Sequence, residues 1–359
     1  MSGYSDAIDK MLTRKVNFLD SHSSSSPVVI SSRIRLARNI KGFAFPSAAT
    51  PAAAAAAAEV INAAVNKTGV LGDGALTFNI HELAPLDGEV LWERRLVSRE
   101  LLECGKSPFV HVSGDEHLAV LVNEEDHLRM QAVLPGLQLH KAWQFINCLD
   151  DQLSCELDMA YDGTLGYLTS CPSNVGTGIR ISVMLHLPAL ARQGHIKQLG
   201  FGLSKLGLTM RGMFGEGSEN LGNFFQISNQ STLGESEAEI MDRLGRVIDQ
   251  VIEHEESSRL KMLENERCSL MDMVGRCFGN LRYGYLLSDK EAFKSLSGLR
   301  LGVDMNMFSA VDADLVNELF VAVCSGHLQK KARRQLNERE RDELRSEIVR
   351  EKLKQSSAL

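Results

Sequence analysis

The sequence predicts an α+β protein, with strands and helices interleaved over most of the chain and helices alone towards its end. Three observations carry that reading. Val28–Leu36, His117–Asn123 and Ile179–Leu187 alternate apolar and polar residues at the period of a half-buried strand. Between and after them, Ala52–Ala58, Trp143–Tyr161 and Ser236–Leu263 carry helix formers or an apolar stripe at helical spacing. From about Glu256-Ser257-Ser258 to Leu359 the pattern is mostly helical.

Bulk properties exclude several classes. The chain has 359 residues, enough for two domains. No apolar run approaches the ~20 residues of a membrane span, and the charged N-terminus MSGYSDAIDKMLTRK lacks the apolar core of a secretory signal. The seven cysteines (Cys104, Cys148, Cys155, Cys171, Cys268, Cys277, Cys324) are odd in number and contain no C-x-x-C pair. That argues against a disulfide framework or zinc site and for a reducing cytoplasm. A net charge of −7 argues against general nucleic-acid binding, yet leaves room for a local arginine cluster.

Residues 1–27 read as an N-terminal extension ending in the linker composition Ser23-Ser24-Ser25-Ser26-Pro27. In Val28–Leu36, Ile30, Ser32, Ile34 and Leu36 take one face, while Ser31, Arg33 and Arg35 take the other. Two arginines therefore project as a pair, although a solvated face is the ordinary reading. Thr50-Pro51 marks a helix start that should run to about Lys67-Thr68-Gly69. In Leu91–Leu102, Arg94 and Arg95 could reach an anion, but surface charge is their ordinary reading. Gly105-Lys106-Ser107 resembles the end of a Walker A loop, but Glu100 stands where that motif needs glycine.

The strand His117–Asn123 buries Leu118, Val120 and Val122 and runs into Asn123-Glu124-Glu125-Asp126-His127-Leu128-Arg129. Such crowded acids need a cation, a cationic substrate or a solvated turn, and divalent-metal ligation stays open. Trp143–Tyr161 reads as a helix with Phe145, Leu149, Leu153 and Leu157 inward. Cys171-Pro172 then opens a turn through Asn174, Gly176 and Gly178. The strand that follows sets Ile179, Ile181, Val183, Leu185 and Leu187 against Arg180, Ser182, Met184 and His186. Leu187–Leu199 reads as a helix. Arg211–Gly217 is a glycine-rich loop with Arg211 and Glu216, able to close over a ligand. The last helix, about Leu328–Leu353, places Arg341 and Arg345 on one face beside Asp342; a solvated, salt-bridged helix is its ordinary reading.

Jointly these pieces describe a two-sided ligand. Arg33, Arg35, Arg129, Arg180 and Arg211, if gathered, would repel one another unless a polyanion bound there. Glu125 and Glu216 with the thiol of Cys171 suit a planar cation. ATP and a guanidinium satisfy both halves.

The segments SSRIRLARN, NEEDHLR, CPSNVGTGIR and RGMFGEGSE, in this order and spacing, resemble the phosphagen (guanidino) kinases and, more narrowly, the bacterial protein-arginine kinases. The resemblance runs from about Val28 to the C-terminus. Small-molecule phosphagen kinases carry a helical domain of about a hundred residues before the SSRIR strand. Here 30 residues precede Ser31, and a helical region follows the kinase part. The resemblance implies an antiparallel sheet flanked by helices, of glutamine-synthetase-like type, over 28–256, and a helical domain over 257–359 for dimerisation and phosphoarginine binding.

It also implies site roles. The arginines would bind ATP with Mg2+, and the segments Ser31, Ser32, Arg33, Ile34, Arg35, then Arg180, Ile181, Ser182, Val183, Met184, then Arg211, Gly212, Met213, Phe214, Gly215, Glu216 would line the nucleotide site. Glu125 and Glu216 would grip the guanidinium, Glu125 as catalytic base, and Cys171 would orient it. No residue is assigned as a metal ligand. Arg341, Asp342 and Arg345 resemble a phosphoarginine-binding RDxxRA motif, with Ser346 in place of the usual Ala. Ser173 and Val175 also stand where Thr and Leu are common. The implied partners are proteins with exposed arginine, a homodimer mate, an activator protein and a Clp-type chaperone–protease; neither nucleic acid nor membrane is expected. A kinase for free arginine, a degenerate kinase acting as a regulator and an ATP-dependent carboxylate–amine ligase are the competing readings.

Overall fold

A computed structural model describes residues 3–20, 26–212, 221–308 and 311–356. Its strands are β1 (Val29–Arg38), β2 (Leu76–Asn79), β3 (Phe109–Val112), β4 (Leu118–Val122), β5 (Leu128–Pro135), β6 (Tyr161–Asp162), β7 (Gly166–Tyr167), β8 (Ile179–His186), β9 (Leu208–Gly212) and β10 (Phe224–Asn229). Eight form one antiparallel sheet in the order β2-β3-β4-β5-β1-β8-β10-β9, while β6 and β7 pair as a separate hairpin. The helices within this part are α1 (Gly3–Leu12), α2 (Pro51–Thr68), α3 (Pro85–Glu93), α4 (Arg99–Leu102), α5 (Leu139–Ser154), α6 (Pro188–Arg192), α7 (Ile196–Lys205) and α8 (Glu237–Asn265). Beyond them lie α9 (Arg267–Tyr283), α10 (Asp289–Asp304), α11 (Ala313–Ala322), α12 (Ser325–Ala332) and α13 (Glu338–Ser356).

Strand alternation decides the layers. Ile34 and Leu36 of β1 and Ile181, Val183 and Leu185 of β8 point to one face, where Ile61 of α2, Leu149 of α5 and Leu244 of α8 close the main core. Each such buried side chain contributes about 1.5–3 kcal/mol. The opposite face is covered at two places. Ile30, Val133, Met184 and Phe224 pack under Phe293 of α10 and Phe320 of α11. Val110, Val112, Ala119 and Leu121 pack under Ile8 of α1 and Val90 and Leu91 of α3. Between these covers the same face carries the arginines of β1, β5, β8 and β9.

Several local expectations are corrected. Ile30 lies on the face opposite Ile34, because the pairing of β1 with β8 shifts between Val29 and Ser31. β4 is buried on both faces, since α1 and α3 cover the side that the alternation left open. Helix α5 spans Leu139–Ser154, and Phe145 is 37% exposed while Leu139, Ala142 and Ile146 point inward. The predicted helix Leu187–Leu199 divides into α6 and α7 at Gly194, whose φ is 74°. The predicted last helix divides into α12 and α13, with Arg333 at φ 55° and the Asn337 side chain accepting from Glu340 N at 2.9 Å. Arg94 is no surface charge: it is buried and pairs in bidentate fashion with Glu116 at 2.7 and 2.8 Å.

The helix start read from the cap at Thr50 holds, and the start at Ser236, read from the apolar stripe, is capped as well. Thr50 accepts from Ala53 N, and Ser236 with Glu239 forms a reciprocal capping box for α8. α8 continues through Glu256-Ser257-Ser258 to Asn265. Its buried Glu255 accepts from Ala189 N and Leu190 N at 3.0 and 2.9 Å and pairs with Arg259. Arg259 reaches Asp304, which also holds Arg300 at 2.7 Å. This buried charge chain fastens the sheet to the helices after it.

Candidate functional site

The register of the sheet gathers the arginines. Arg35 of β1 stands opposite Arg180 of β8 on one side and Gln131 of β5 on the other. Arg211 of β9 pairs with Gln226 of β10. Arg33, Arg35, Arg129 and Arg211 line a cavity of about 240 Å³ together with Arg95. Phe320, Val321 and Cys324 of the helical region form part of its wall.

Arg33 donates to Gln226 Oε1 at 2.9 Å and to Ser182 Oγ at 3.4 Å. The Nε of Arg35 is buried with no hydrogen-bond partner among the described residues. Burial, and then the charges of Arg95, Arg129 and Arg180, push Arg33 down to about 9. Burial and then Arg33 push Arg35 well below the ordinary range, and burial brings Arg95 to about 10. Such a nest is unfavourable alone and is stabilised by a polyanion.

The anionic half starts at the β4–β5 turn. Asn123, at φ 57°, donates its side-chain amide to Ala54 O at 2.8 Å and to Lys106 O at 3.1 Å, pinning the turn. Glu124 is buried and pairs with Arg129 and the Ser98 hydroxyl. Burial works against the charge on Arg129, but Glu124 outweighs it and the net shift is upward. Asp126 accepts from Asn39 Nδ2 at 2.6 Å and Ser170 N at 2.7 Å. The metal-ligating reading of the acid run fails here, because Glu124 and Asp126 are committed to protein donors. Only Glu125 of the three is exposed. Partial burial, and then the neighbouring Asp126, raise its pKa above the usual carboxylate range.

The Cys171 turn lies against this acidic turn. Thr169 Oγ1 and Asn174 N donate to Cys171 O at 2.8 and 3.0 Å, and the thiol contacts Ser173 Oγ at 3.0 Å. From the β10 side, Thr232 Oγ1 donates to Val175 O at 2.7 Å. Arg38, stacked on Tyr167 and paired with Asp150, donates to Thr177 O at 2.9 Å. Gly176 has φ 109°, and a Cβ there would lie 2.5 Å from Thr232 O. Gly178 has φ 66°, and a Cβ would lie 2.6 Å from Ala37 O. Both glycines are therefore sterically required.

The five arginines thus share one sheet face, with the turns of Glu125 and Cys171 tied to one another at its edge. Met213, Phe214, Gly215 and Glu216 lie outside the described residues. Arg345 is 1% exposed and donates to Val323 O at 3.0 Å, Leu287 O at 2.7 Å and Asp342 at 2.6 Å. Arg341 donates to Leu336 O at 3.0 Å. Sequence reasoning missed Glu100 and Gln226 as cavity residues and set the anion-reaching option for Arg95 below surface charge. The left-handed backbone at Arg95, φ 62°, carries no sequence signature.

Arginines massed on a sheet face beside the acidic turn of Glu125 fit an ATP-dependent phosphotransferase of the guanidino class. The family described as "ATP:guanido phosphotransferase, C-terminal catalytic domain" matches residues 58–258. A second, "Protein-arginine kinase McsB C-terminal domain", matches residues 267–359.

Among curated relatives, a protein-arginine kinase of Syntrophomonas wolfei subsp. wolfei is 43% identical over 92% of this chain and 93% of its own. One of Pelotomaculum thermopropionicum is 40% identical over 93% of this chain and 94% of its own. The chain belongs to the protein-arginine kinase family within the ATP:guanido phosphotransferases. Among solved structures, a lombricine kinase superposes with a TM-score of 0.56 at 22% identity, covering 71% of this chain and 76% of that one. A duplicated taurocyamine kinase from Schistosoma mansoni, with bound transition-state-analogue components, gives a TM-score of 0.57 at 22% identity over 76% of this chain and 42% of that one. At that identity they show the shared fold. Members of this family use ATP and a divalent metal. Among the described residues no group of three or more His, Cys, Asp or Glu could hold a metal ion. No described helix is long and apolar enough to cross a membrane.

Proposed function

We propose that this protein transfers the γ-phosphoryl group of ATP to the guanidino nitrogen of arginine side chains in proteins, using the cleft between the Arg33–Arg35 strand and the Glu125 and Cys171 turns. The observation that carries the assignment of residues is the arginine nest, where Arg35 Nε has no hydrogen-bond partner among the described residues, beside the raised carboxylate of Glu125. Arg33, Arg35, Arg129, Arg180 and Arg211 bind and neutralise the phosphates, flanked by Ser31, Ser32, Ile34, Ile181, Ser182, Val183, Met184 and Gly212. Bound Mg2+ supplies further neutralisation of the phosphate oxygens.

The reaction is in-line, with a loose transition state, so positioning and charge stabilisation do most of the work. The incoming guanidinium stays protonated far above neutral pH, and no carboxylate strips it at equilibrium. Glu125 instead holds it by a charged hydrogen bond and takes its proton as the N–P bond forms, which a raised pKa favours. Cys171 lies along the guanidinium and orients it. Glu216 is proposed as the second carboxylate, from the resemblance of its loop alone.

The helical region over 257–359 is proposed to carry the dimer contact and a phosphoarginine site at Arg341, Asp342 and Arg345. An activator protein, a Clp-type protease that receives marked proteins, and a cytoplasmic setting belong to the same proposal. A kinase for free arginine is the second reading. The extent of the match beyond residue 267 to the C-terminal domain of protein-arginine kinases favours the first. Glu125→Gln tests the site: kcat should fall roughly 10²–10⁴-fold with little change in ATP affinity, and near-wild-type turnover would remove Glu125 from the chemistry.

A further inference from the structure

Asp126 stands between the two turns that face the guanidinium. Its side chain is buried, 2% exposed in the whole residue. One oxygen accepts from both Asn39 Nδ2 at 2.6 Å and Ser170 N at 2.7 Å. Asn39 in turn donates to Leu168 O at 3.1 Å and accepts from His127 N at 2.9 Å. A single carboxylate–amide pair thus rivets three segments: the end of β1, the β4–β5 turn and the approach to Cys171. Asp126 follows Glu125 directly, and Ser170 precedes Cys171 directly. Charge-assisted bonds of this kind, out of water, are about twice as strong as neutral ones.

We propose that Asp126 is a positioning residue that clamps the Cys171 turn to the Glu125 turn and so sets the gap in which the substrate guanidinium is held. This rests on the reading of Glu125 and Cys171 given above. Asp126 acts on Glu125 in a second way, through its charge. Four charged groups face Glu125: Asp126 and Glu124 from its own turn, Glu100 from α4 and Arg129 from β5. Partial burial raises the Glu125 pKa most, Asp126 comes next, and Arg129 opposes them. The clamp therefore also makes the base more basic.

Two variants separate the effects. Asp126→Asn keeps the accepting oxygen and removes the charge; Asp126→Ala removes both. The readouts are thermal melting, peptide-resolved iodoacetamide alkylation of Cys171, and the pH profile of kcat/KM with ATP and a denatured protein substrate. In Asp126→Ala, Cys171 should be alkylated about tenfold faster as the turn loosens, and kcat should fall roughly 100-fold. In Asp126→Asn, alkylation should return to within about twofold of wild type, while the acid limb of kcat/KM moves down by about half a pH unit. Unchanged alkylation in a folded Asp126→Ala protein, or an unmoved acid limb in Asp126→Asn, overturns the proposal. If Asp126→Ala does not melt cooperatively, the acid limb decides alone. An active Glu125→Gln enzyme removes the reading beneath the proposal, whereas an inactive one with unaffected Asp126 variants removes the clamp only.

Discussion

At the scale of single residues, Arg35 shows how a proposed phosphate-binding role is held against stability. Its guanidinium is pressed by burial and by like charges, and its Nε has no hydrogen-bond partner among the described residues. A base whose folded pKa is depressed weakens the fold at every pH below that folded value, and the penalty fades as pH rises through it. Arg35→Met should therefore raise the melting temperature of the nucleotide-free protein at neutral pH, with a gain that shrinks in alkaline buffer. The same substitution should weaken ATP binding by about tenfold or more in calorimetry. A lowered melting temperature would show that the nest is not strained.

The residue types of this site were legible in the sequence, since Arg33 and Arg35 share a strand face by simple alternation. Their depressed pKa values were not, because these arise from strands far apart in sequence. Arg94 and Arg95 were misjudged for the same reason: nothing local distinguishes a solvated arginine from one paired with Glu116 or turned into the cavity.

At the scale of elements, caps and alternation were the reliable signals. The Thr50 cap and the alternation of β8 placed their elements because each acts within a few residues, and the apolar stripe placed α8. The bulge that turns Ile30 over, and the left-handed Arg333 that ends α12, are imposed by packing and had no such signature. That break matters for α13. Arg345 is a buried pin for the Val323 and Leu287 carbonyls, whereas Arg341 is only half-buried. Arg345→Ala should cost about 3 kcal/mol in urea denaturation, and Arg341→Ala should stay within about 0.5 kcal/mol. Feedback by phosphoarginine is best read from Arg341→Ala, since a loss in Arg345→Ala mixes binding with folding. Equal stability of the two variants would contradict the pin.

At the scale of the whole molecule, the helical region helps to build the proposed nucleotide cavity. Phe320, Val321 and Cys324 wall the arginine cavity, and the chain Glu255–Arg259–Asp304–Arg300 fastens these helices to the sheet. The sequence showed a helical tail; that it walls the arginine nest follows from long-range packing. The central claim is a single cleft with a basic half for a nucleotide tail and an acidic edge for an arginine side chain. Its most direct measurement is mass spectrometry, under conditions that preserve acid-labile phosphate, of a protein mixture incubated with this enzyme, ATP and Mg2+. The account predicts phosphate on arginine side chains, lost in Glu125→Gln. Phosphate found only on free guanidino compounds, or undiminished labelling by Glu125→Gln, would contradict it.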